Sequence, residues 1–248
     1  MTNQNASQPP EHLSPEEFRR HGYALIDWIA DYWQRVEELP VMSQIQPGAI
    51  RELLPPSAPE HGEPFERLIE DLDAIVMPGV SHWQSPSWFA YFPANSSPPS
   101  VLAELVSAGL GVQGMLWSTS PAATEIESHV LDWLIDLLDL PESWRTTEQG
   151  GGVLQMSASD STHTALVVAR HQAANLGIRP ESMVAYASTQ THSSIQKGTT
   201  VAGYGHVRLI DVDDQQAMRI DALEAALNED RDGGLTPIFV AATIGTTG

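Results

Sequence analysis

The feature that most constrains this chain is a regular alternation of short apolar runs and helical segments after Gly152. The apolar runs cover residues 153–156, 183–187, 206–210 and 237–244, and the helical segments cover about 162–175, 194–201 and 220–228. Strands that alternate with helices favour a mostly parallel sheet, because each helix carries the chain back to the edge where the next strand begins. We therefore predict an α/β fold whose sheet is covered by helices.

The first helix is predicted from its capping residues. Ser14 is placed as the N-cap, Pro15 as the first helical residue, and Glu17 completes a capping box. Apolar residues then recur at helical spacing between positions 18 and 36, and Pro40 ends the run. The stripe is wide and aromatic at its borders. It either packs in the core of the chain or forms a surface between subunits, where Trp and Tyr are enriched.

Three regions are distinguished along the chain: a polar, flexible arm over residues 1–13, a helical segment over 14–99, and a larger domain over 100–248. Within the second region, residues 81–99 are rich in aromatic side chains and contain four prolines, which exclude a regular helix. This stretch is too apolar for a solvated loop. We predict that it is buried and lines a pocket, with ordinary core packing as the alternative.

Composition excludes several classes of protein. The 248 residues contain no cysteine, which rules out a disulfide scaffold and a cysteine nucleophile. Twelve Lys and Arg against 32 Asp and Glu give a formal net charge of −20, which argues against binding nucleic acid or an anionic membrane. No targeting signal and no apolar run of membrane-spanning length is visible, so we expect a cytoplasmic protein.

The segment over residues 150–161 is a candidate anion site. A glycine run and a short apolar run lead into Ser157, Ala158, Ser159, Asp160 and Ser161, which open a helix. Free backbone N–H groups and the dipole at a helix start attract phosphate, and small residues let it approach closely. An ordinary helix capped by serine is the alternative. The pattern is neither a P-loop nor a dinucleotide-binding fingerprint.

Two further candidate sites follow later strands. His192 lies in a polar turn after the run at 183–187, and Gly245 and Thr246 follow the run at 237–244. Ligands of α/β proteins bind at the carboxyl ends of strands, so the three sites could converge on one ligand. A lone histidine can equally be a structural hydrogen-bonding group. No metal site is predicted, because His163 and His171 lie eight residues apart and no H-E-x-x-H motif occurs.

Five segments in fixed order carry a resemblance to a known family. They are 88–93 (WFAYFP), 117–125 (WSTSPAATE), 150–159 (GGGVLQMSAS), 185–194 (AYASTQTHSS) and 242–247 (ATIGTT). Together they resemble the pyridoxal-phosphate-dependent group II decarboxylases, and among these the aromatic-L-amino-acid decarboxylases. The resemblance runs from about residue 14 to the last residue.

The resemblance implies a type I pyridoxal-phosphate fold, as in aminotransferases, with helices on both faces of the sheet. It also implies pyridoxal 5′-phosphate as cofactor and a homodimer that shares its active site. Residues 14–99 would wrap around the partner subunit, and 100–248 would form the first part of the cofactor-binding domain. The cofactor-binding positions would be Ala94, Ala158, Ser159, His192 and Thr246. His192, which would stack on the cofactor ring, would also be catalytic, and Trp83, Tyr91, Phe92 and Met115 would bind substrate.

The sequence also departs from the family's pattern. Ala94 stands where many aromatic decarboxylases have a threonine, and Gln84 and Met115 differ from common family residues. The family's Schiff-base lysine and the aspartate that pairs with the pyridine nitrogen fall beyond the Gly-Thr-Thr motif. The single lysine of this chain is Lys197, which we expect to be an exposed helical residue. We therefore expect that these 248 residues alone do not turn over substrate.

The activity implied for the intact enzyme is decarboxylation of an aromatic L-amino acid (dopa, tyrosine, tryptophan or phenylalanine) to the amine and CO₂. No Arg or Lys occurs between Arg67 and Arg145, so that stretch offers no cation to an acidic substrate side chain. Three alternatives stay open: a glutamate decarboxylase, an aromatic aldehyde synthase, and a non-catalytic fragment that binds only the cofactor phosphate.

Overall fold

The computed structural model describes residues 13–91 and 96–245. Contacts within the chain divide it into two compact units, Met1–Ala103 and Glu104–Gly248. None of the helices in the described ranges is both long enough and apolar enough to cross a membrane.

The first unit is helical in its described part. Its α-helices are α1 (Pro15–Arg35), α2 (Ala49–Leu53) and α3 (Phe65–Asp71), with short helical turns at Val36–Glu38, Leu72–Val76 and Met77–Gly79. A further helix, α4 (Pro98–Leu110), begins in this unit and ends in the second.

The start of α1 has the capping box that the sequence predicts. The backbone N–H of Glu17 donates to the Ser14 hydroxyl at 3.2 Å, and the N–H of Ser14 donates to the Glu17 carboxylate at 2.8 Å. Further along, buried His21 stacks on Phe65 at the start of α3, with ring centroids 4.3 Å apart. These contacts fix where α1 begins and which side of it packs inside the unit.

The second unit contains the sheet. Its remaining helices are α5 (Pro121–Leu137), α6 (Ala158–Asn175), α7 (Ser194–Ala202) and α8 (Ile220–Asp232), with short turns at Glu142–Trp144 and Pro180–Ser182. The strands are β1 (Met183–Ser188), β2 (His206–Ile210) and β3 (Thr236–Ala241), in the order β2-β1-β3. Both strand pairs are parallel, so the predicted parallel sheet is confirmed.

Helices cover both faces of this sheet. All six residues of the central strand β1 are buried. Ala185 packs with Leu166 of α6 and Ala202 of α7, whereas Tyr186 points to the opposite face and packs with Ile210 and residues of α8. Successive side chains of a strand point to opposite faces, so an all-apolar strand requires cover on both sides.

The predicted strand over residues 153–156 is wrong. These residues are irregular and exposed, and Met156 is 96% exposed. The N–H of Leu154 donates to the Glu127 carboxylate at 2.7 Å instead of to a neighbouring strand. A strand exists only when another strand accepts its backbone hydrogen bonds, and the described residues provide no such neighbour for this run.

A buried carboxylate joins α8 to the sheet. Asp230 is 1% exposed and accepts a 2.7 Å hydrogen bond from the Tyr186 hydroxyl and a 3.1 Å bond from Arg208 Nε. Hydrogen bonding from the Arg208 guanidinium lowers the pKa of Asp230. Burial and the hydrogen bond to this carboxylate raise the pKa of Tyr186. The carboxylate therefore stays ionised, with its buried charge compensated.

We expect Asp230→Ala to lower the free energy of unfolding by roughly 3 kcal/mol, because it leaves the buried Tyr186 hydroxyl and the Arg208 guanidinium without their acceptor. Tyr186→Phe removes one hydrogen bond and should cost about 1 kcal/mol. Urea unfolding measures both changes. Glu229→Ala is the matched control. Glu229 is exposed, and its carboxylate lies 3.8 Å from the Arg208 guanidinium, which is beyond hydrogen-bond distance. Equal midpoints for Asp230→Ala and Glu229→Ala would contradict the assignment.

Candidate functional site

The start of α6 leaves backbone donors free. Ser157 is the N-cap, and its hydroxyl accepts from the N–H of Asp160 at 3.1 Å while donating to the Asp160 carboxylate at 2.8 Å. Its carbonyl accepts from the N–H of Ser161 at 3.1 Å. The N–H groups of Ala158 and Ser159, in the first turn, have no partner within the helix. They are the two donors that an anion would meet.

The side chains of this turn decide how much a phosphate would gain. The Ser161 hydroxyl donates to the Ser157 carbonyl at 3.3 Å, and the Ser157 hydroxyl is engaged in the cap. Of the three serines only half-buried Ser159 has its hydroxyl uncommitted within the described residues. Two N–H groups, one hydroxyl and the helix dipole fit a phosphate group. The carboxylate of Asp160 opposes an anion here, so the fit depends on close contact with the N–H groups.

The turn after β1 carries His192 and is held by backbone hydrogen bonds. The N–H of Thr189 donates to the Ile210 carbonyl at 2.9 Å, and the N–H of Thr191 donates to the Ser188 carbonyl at 3.1 Å. His192 itself is exposed, and its Nδ1 accepts from the N–H of Ser194 at 3.2 Å. The imidazole is thus presented at the carboxyl end of the central strand in a fixed orientation.

The loops after β1 and β3 meet. The hydroxyl oxygens of Thr191 and Thr243 are 3.4 Å apart. This contact follows from the parallel pairing of the two strands, which brings their carboxyl ends to one edge. The His192 turn therefore lies beside the start of the loop after β3, whereas Thr246, the predicted residue of that loop, lies outside the described residues.

Helix packing relates the third site to them. A Cβ atom built on Gly198 of α7 would lie 2.7 Å from side-chain atoms of His163 and Leu166, and one on Gly203 would lie 3.9 Å from Arg170 Nε. These contacts advance in the same direction along α6 and α7, so the two helices run parallel. The first turn of α6 and the His192 turn before α7 consequently lie at the same end of the helix pair.

The aromatic segment of the first unit is exposed where burial was predicted. Trp83 stacks on Trp88 and on Tyr91, with ring centroids 4.6 and 5.6 Å apart, but Tyr91 remains 77% exposed. His82 and Ser85 are the buried residues between positions 81 and 91. The prediction of a buried stretch is wrong for the single chain, because the rings cover one another rather than entering a core.

The remaining predicted site residues are placed as follows. Met115 lies between α4 and α5 and is 72% exposed. Phe92, Ala94 and Thr246 lie outside the described residues. Trp83 and Tyr91 belong to the first unit, whereas Met115, Ala158, Ser159 and His192 belong to the second.

Two contacts were not predicted from the sequence. Thr243 belongs to the segment 242–247, but nothing in the spacing of that segment identifies it as the partner of Thr191. Glu127 holds the segment before α6 through Leu154, at a separation of 27 residues. No local pattern signals a contact across that separation.

Lys197 is exposed on α7, on the side away from the buried residues of that helix.

The comparison with protein families gives one conserved domain. The model described as "Pyridoxal-dependent decarboxylase conserved domain" matches residues 47–248. This range includes the first turn of α6 and the His192 turn.

Curated relatives and solved structures agree with this match. Phenylacetaldehyde synthase of Arabidopsis thaliana is 44% identical over 95% of this chain and 49% of its own length. Aromatic-L-amino-acid decarboxylase of Bos taurus is 43% identical over 95% of the chain and 50% of its own length. Tryptophan decarboxylase of Catharanthus roseus, solved with L-tryptophan, superposes with a TM-score of 0.89 at 37% identity, over 96% of this chain and 52% of that structure. The chain spans about half the length of the proteins it matches.

The contact between α6 and α7 is tested at Gly198. In Gly198→Ala the added methyl group would lie 2.7 Å from side-chain atoms of His163 and Leu166, so these side chains or the helices must shift. We expect a net loss of about 1–3 kcal/mol in the free energy of unfolding, measured with urea. Gly22→Ala is the control, because no atom lies within 4 Å of a Cβ on this helical glycine. It should gain up to about 1 kcal/mol, and an equal gain in Gly198→Ala would refute the close packing.

Buried His82 should make stability fall in mild acid. Burial lowers its pKa, and its Nδ1 lies 3.1 Å from the Tyr32 hydroxyl. Its stabilising effect is complete above the unfolded pKa of about 6.5. Below that pH the unfolded chain binds the proton first, so the free energy of unfolding falls by at most about 1.4 kcal/mol per pH unit until the folded pKa is reached.

Urea midpoints at about pH 8 and pH 5 measure this effect, since they lie on either side of the unfolded pKa. His82→Gln should remove the contribution of His82 to the pH dependence, whereas Tyr32→Phe, which keeps the buried imidazole, should retain it. The same pH dependence in the unchanged protein and in His82→Gln would show that His82 does not titrate on unfolding.

Proposed function

The chain belongs to the family of pyridoxal-dependent decarboxylases, and from this premise we propose that the whole protein decarboxylates an aromatic L-amino acid to its amine and CO₂. The single observation that carries the proposal is the placement of two N–H groups without a partner in the helix and an exposed imidazole at one end of the parallel pair α6 and α7. A phosphate-bearing cofactor with a flat ring would find a donor pair and a stacking partner there.

We assign the binding of pyridoxal 5′-phosphate to residues of this end. The N–H groups of Ala158 and Ser159, with the Ser159 hydroxyl, would hold the phosphate. His192 would lie against the ring, and Ala94 and Thr246 would contact the cofactor as the resemblance implies. The bound cofactor supplies an electron sink for the Cα–carboxylate bond, while the protein supplies orientation and a water-poor site.

An aromatic substrate suits the side chains available. Trp83 and Tyr91 present stacked, partly exposed rings, and such rings bind another ring by area and offset stacking. We propose that they line the substrate pocket together with Phe92 and Met115. The absence of Arg and Lys between positions 67 and 145 disfavours an acidic substrate such as glutamate.

A homodimer is part of this proposal. The exposed side chains of α4 and the following loop form an apolar surface that includes Val106, Leu110, Met115 and Leu116. Apolar surfaces of this kind mark protein contacts. We propose that this surface and α1 pack against a second copy, which would bring Met115 of one subunit to the substrate of the other.

Aldehyde formation is the second candidate. It is favoured by the similarity to phenylacetaldehyde synthase, which equals the similarity to aromatic-L-amino-acid decarboxylase within one percentage point. The two reactions differ in products: a decarboxylase releases amine and CO₂, whereas decarboxylation with oxidative deamination consumes O₂ and water and releases aldehyde, CO₂, ammonia and H₂O₂.

The test is a product assay on the whole protein with pyridoxal 5′-phosphate and, in turn, L-dopa, tyrosine, tryptophan, phenylalanine and glutamate. We expect amine and CO₂ in equal amounts from at least one aromatic substrate and neither from glutamate. His192→Ala should lower kcat by about 10²–10⁴, the usual contribution of a positioned catalytic side chain. Lys197→Arg should leave activity intact, because this exposed lysine is not assigned to the cofactor.

Other outcomes identify the alternatives. Aldehyde with ammonia would replace the first proposal by the second. Turnover of glutamate would contradict the aromatic pocket. Binding of the cofactor phosphate without turnover of any substrate would leave a non-catalytic binding protein.

A further inference from the structure

The acceptor atom of His192 determines where its proton resides. The N–H of Ser194 donates to Nδ1 at 3.2 Å. The donor is a backbone amide, whose single hydrogen is fixed, so Nδ1 has to be unprotonated to accept it. A neutral imidazole carries one N–H, and that proton then lies on Nε2.

The amide that selects this tautomer cannot easily move away. Ser194 is the first residue of α7, and both it and Ile195 are buried. The carbonyl of His192 accepts from the N–H of Ile195 at 3.2 Å, which closes the turn that leads into α7. The contact of Thr191 with Thr243 restrains the same turn against the neighbouring loop.

From this geometry we propose that the turn before α7 locks neutral His192 as the Nε2–H tautomer, a hydrogen-bond donor of fixed direction, and that Ser194 is a positioning residue acting through its backbone amide. The group that accepts the hydrogen bond from Nε2 would be a carboxylate oxygen of the substrate, and this assignment rests on the proposed function. The tautomer itself does not depend on it.

This arrangement restricts what His192 can do. Its exposed Nε2 can donate a hydrogen bond but cannot accept one while the ring is neutral. His192 therefore orients a carboxylate by donation and does not act as a base through Nε2.

Nitrogen NMR of the whole protein labelled with ¹⁵N at the histidine rings tests the tautomer, in the absence of cofactor and substrate. His192→Gln assigns the signals by loss. At a pH where the ring is neutral, we expect Nδ1 to show the shift of an unprotonated acceptor nitrogen and Nε2 that of a protonated one. Exposed His171 on α6 is the internal reference for an unlocked ring. A protonated Nδ1, or a tautomer mixture equal to that of His171, would overturn the proposal.

Two amide replacements test the donor in the enzyme. The amide nitrogen of His192→Gln can occupy the position of Nε2, whereas that of His192→Asn can occupy the position of Nδ1. We expect the Gln variant to keep at least about tenfold more kcat than the Asn variant, which corresponds to about 1.4 kcal/mol in the barrier. The reverse order would contradict donation from Nε2. A locked Nε2–H ring in a protein that decarboxylates nothing would support the tautomer and refute the proposed function.

Discussion

Burial of the central strand on both faces is the constraint on which the rest of the second unit depends. Every residue of β1 is shielded, so the strand needs α6 and α7 on one side and α8 on the other. Both neighbouring strands have to run parallel to it, because helical connections return the chain to the same edge. The carboxyl end of β1 is thereby fixed, and with it the turn that carries His192.

Close packing of two helices brings together the two turns that form the candidate site. Gly198 has no side chain, which lets α7 approach His163 and Leu166 of α6. The parallel course of the helices places both amino-terminal ends together, and such ends offer unpaired N–H groups and positive dipole ends. In α6 the unpaired N–H groups are those of Ala158 and Ser159. In the other, the first N–H is used internally, to hold the imidazole of His192.

Features that depend on neighbouring residues in the chain could be predicted from the sequence. The capping box at Ser14 and the apolar run of β1 depend on neighbours within a few residues, and both were predicted. The predicted strand over 153–156 failed because a strand depends on a partner elsewhere in the chain. The aromatic cluster around Trp83 was expected to be buried, since composition reports how apolar a segment is but not what covers it.

The sequence by itself determined the class of fold, the family and the order of the site segments, because strand and helix periods and motif spacing are local properties. Tertiary structure decided which donors are free. Within the first turn of α6 the Ser157 hydroxyl binds the Asp160 carboxylate and the Ser161 hydroxyl binds the Ser157 carbonyl, which leaves the Ser159 hydroxyl available. It also decided the partners of Asp230 and Thr243, because these contacts join residues far apart in the chain, where no sequence period reaches.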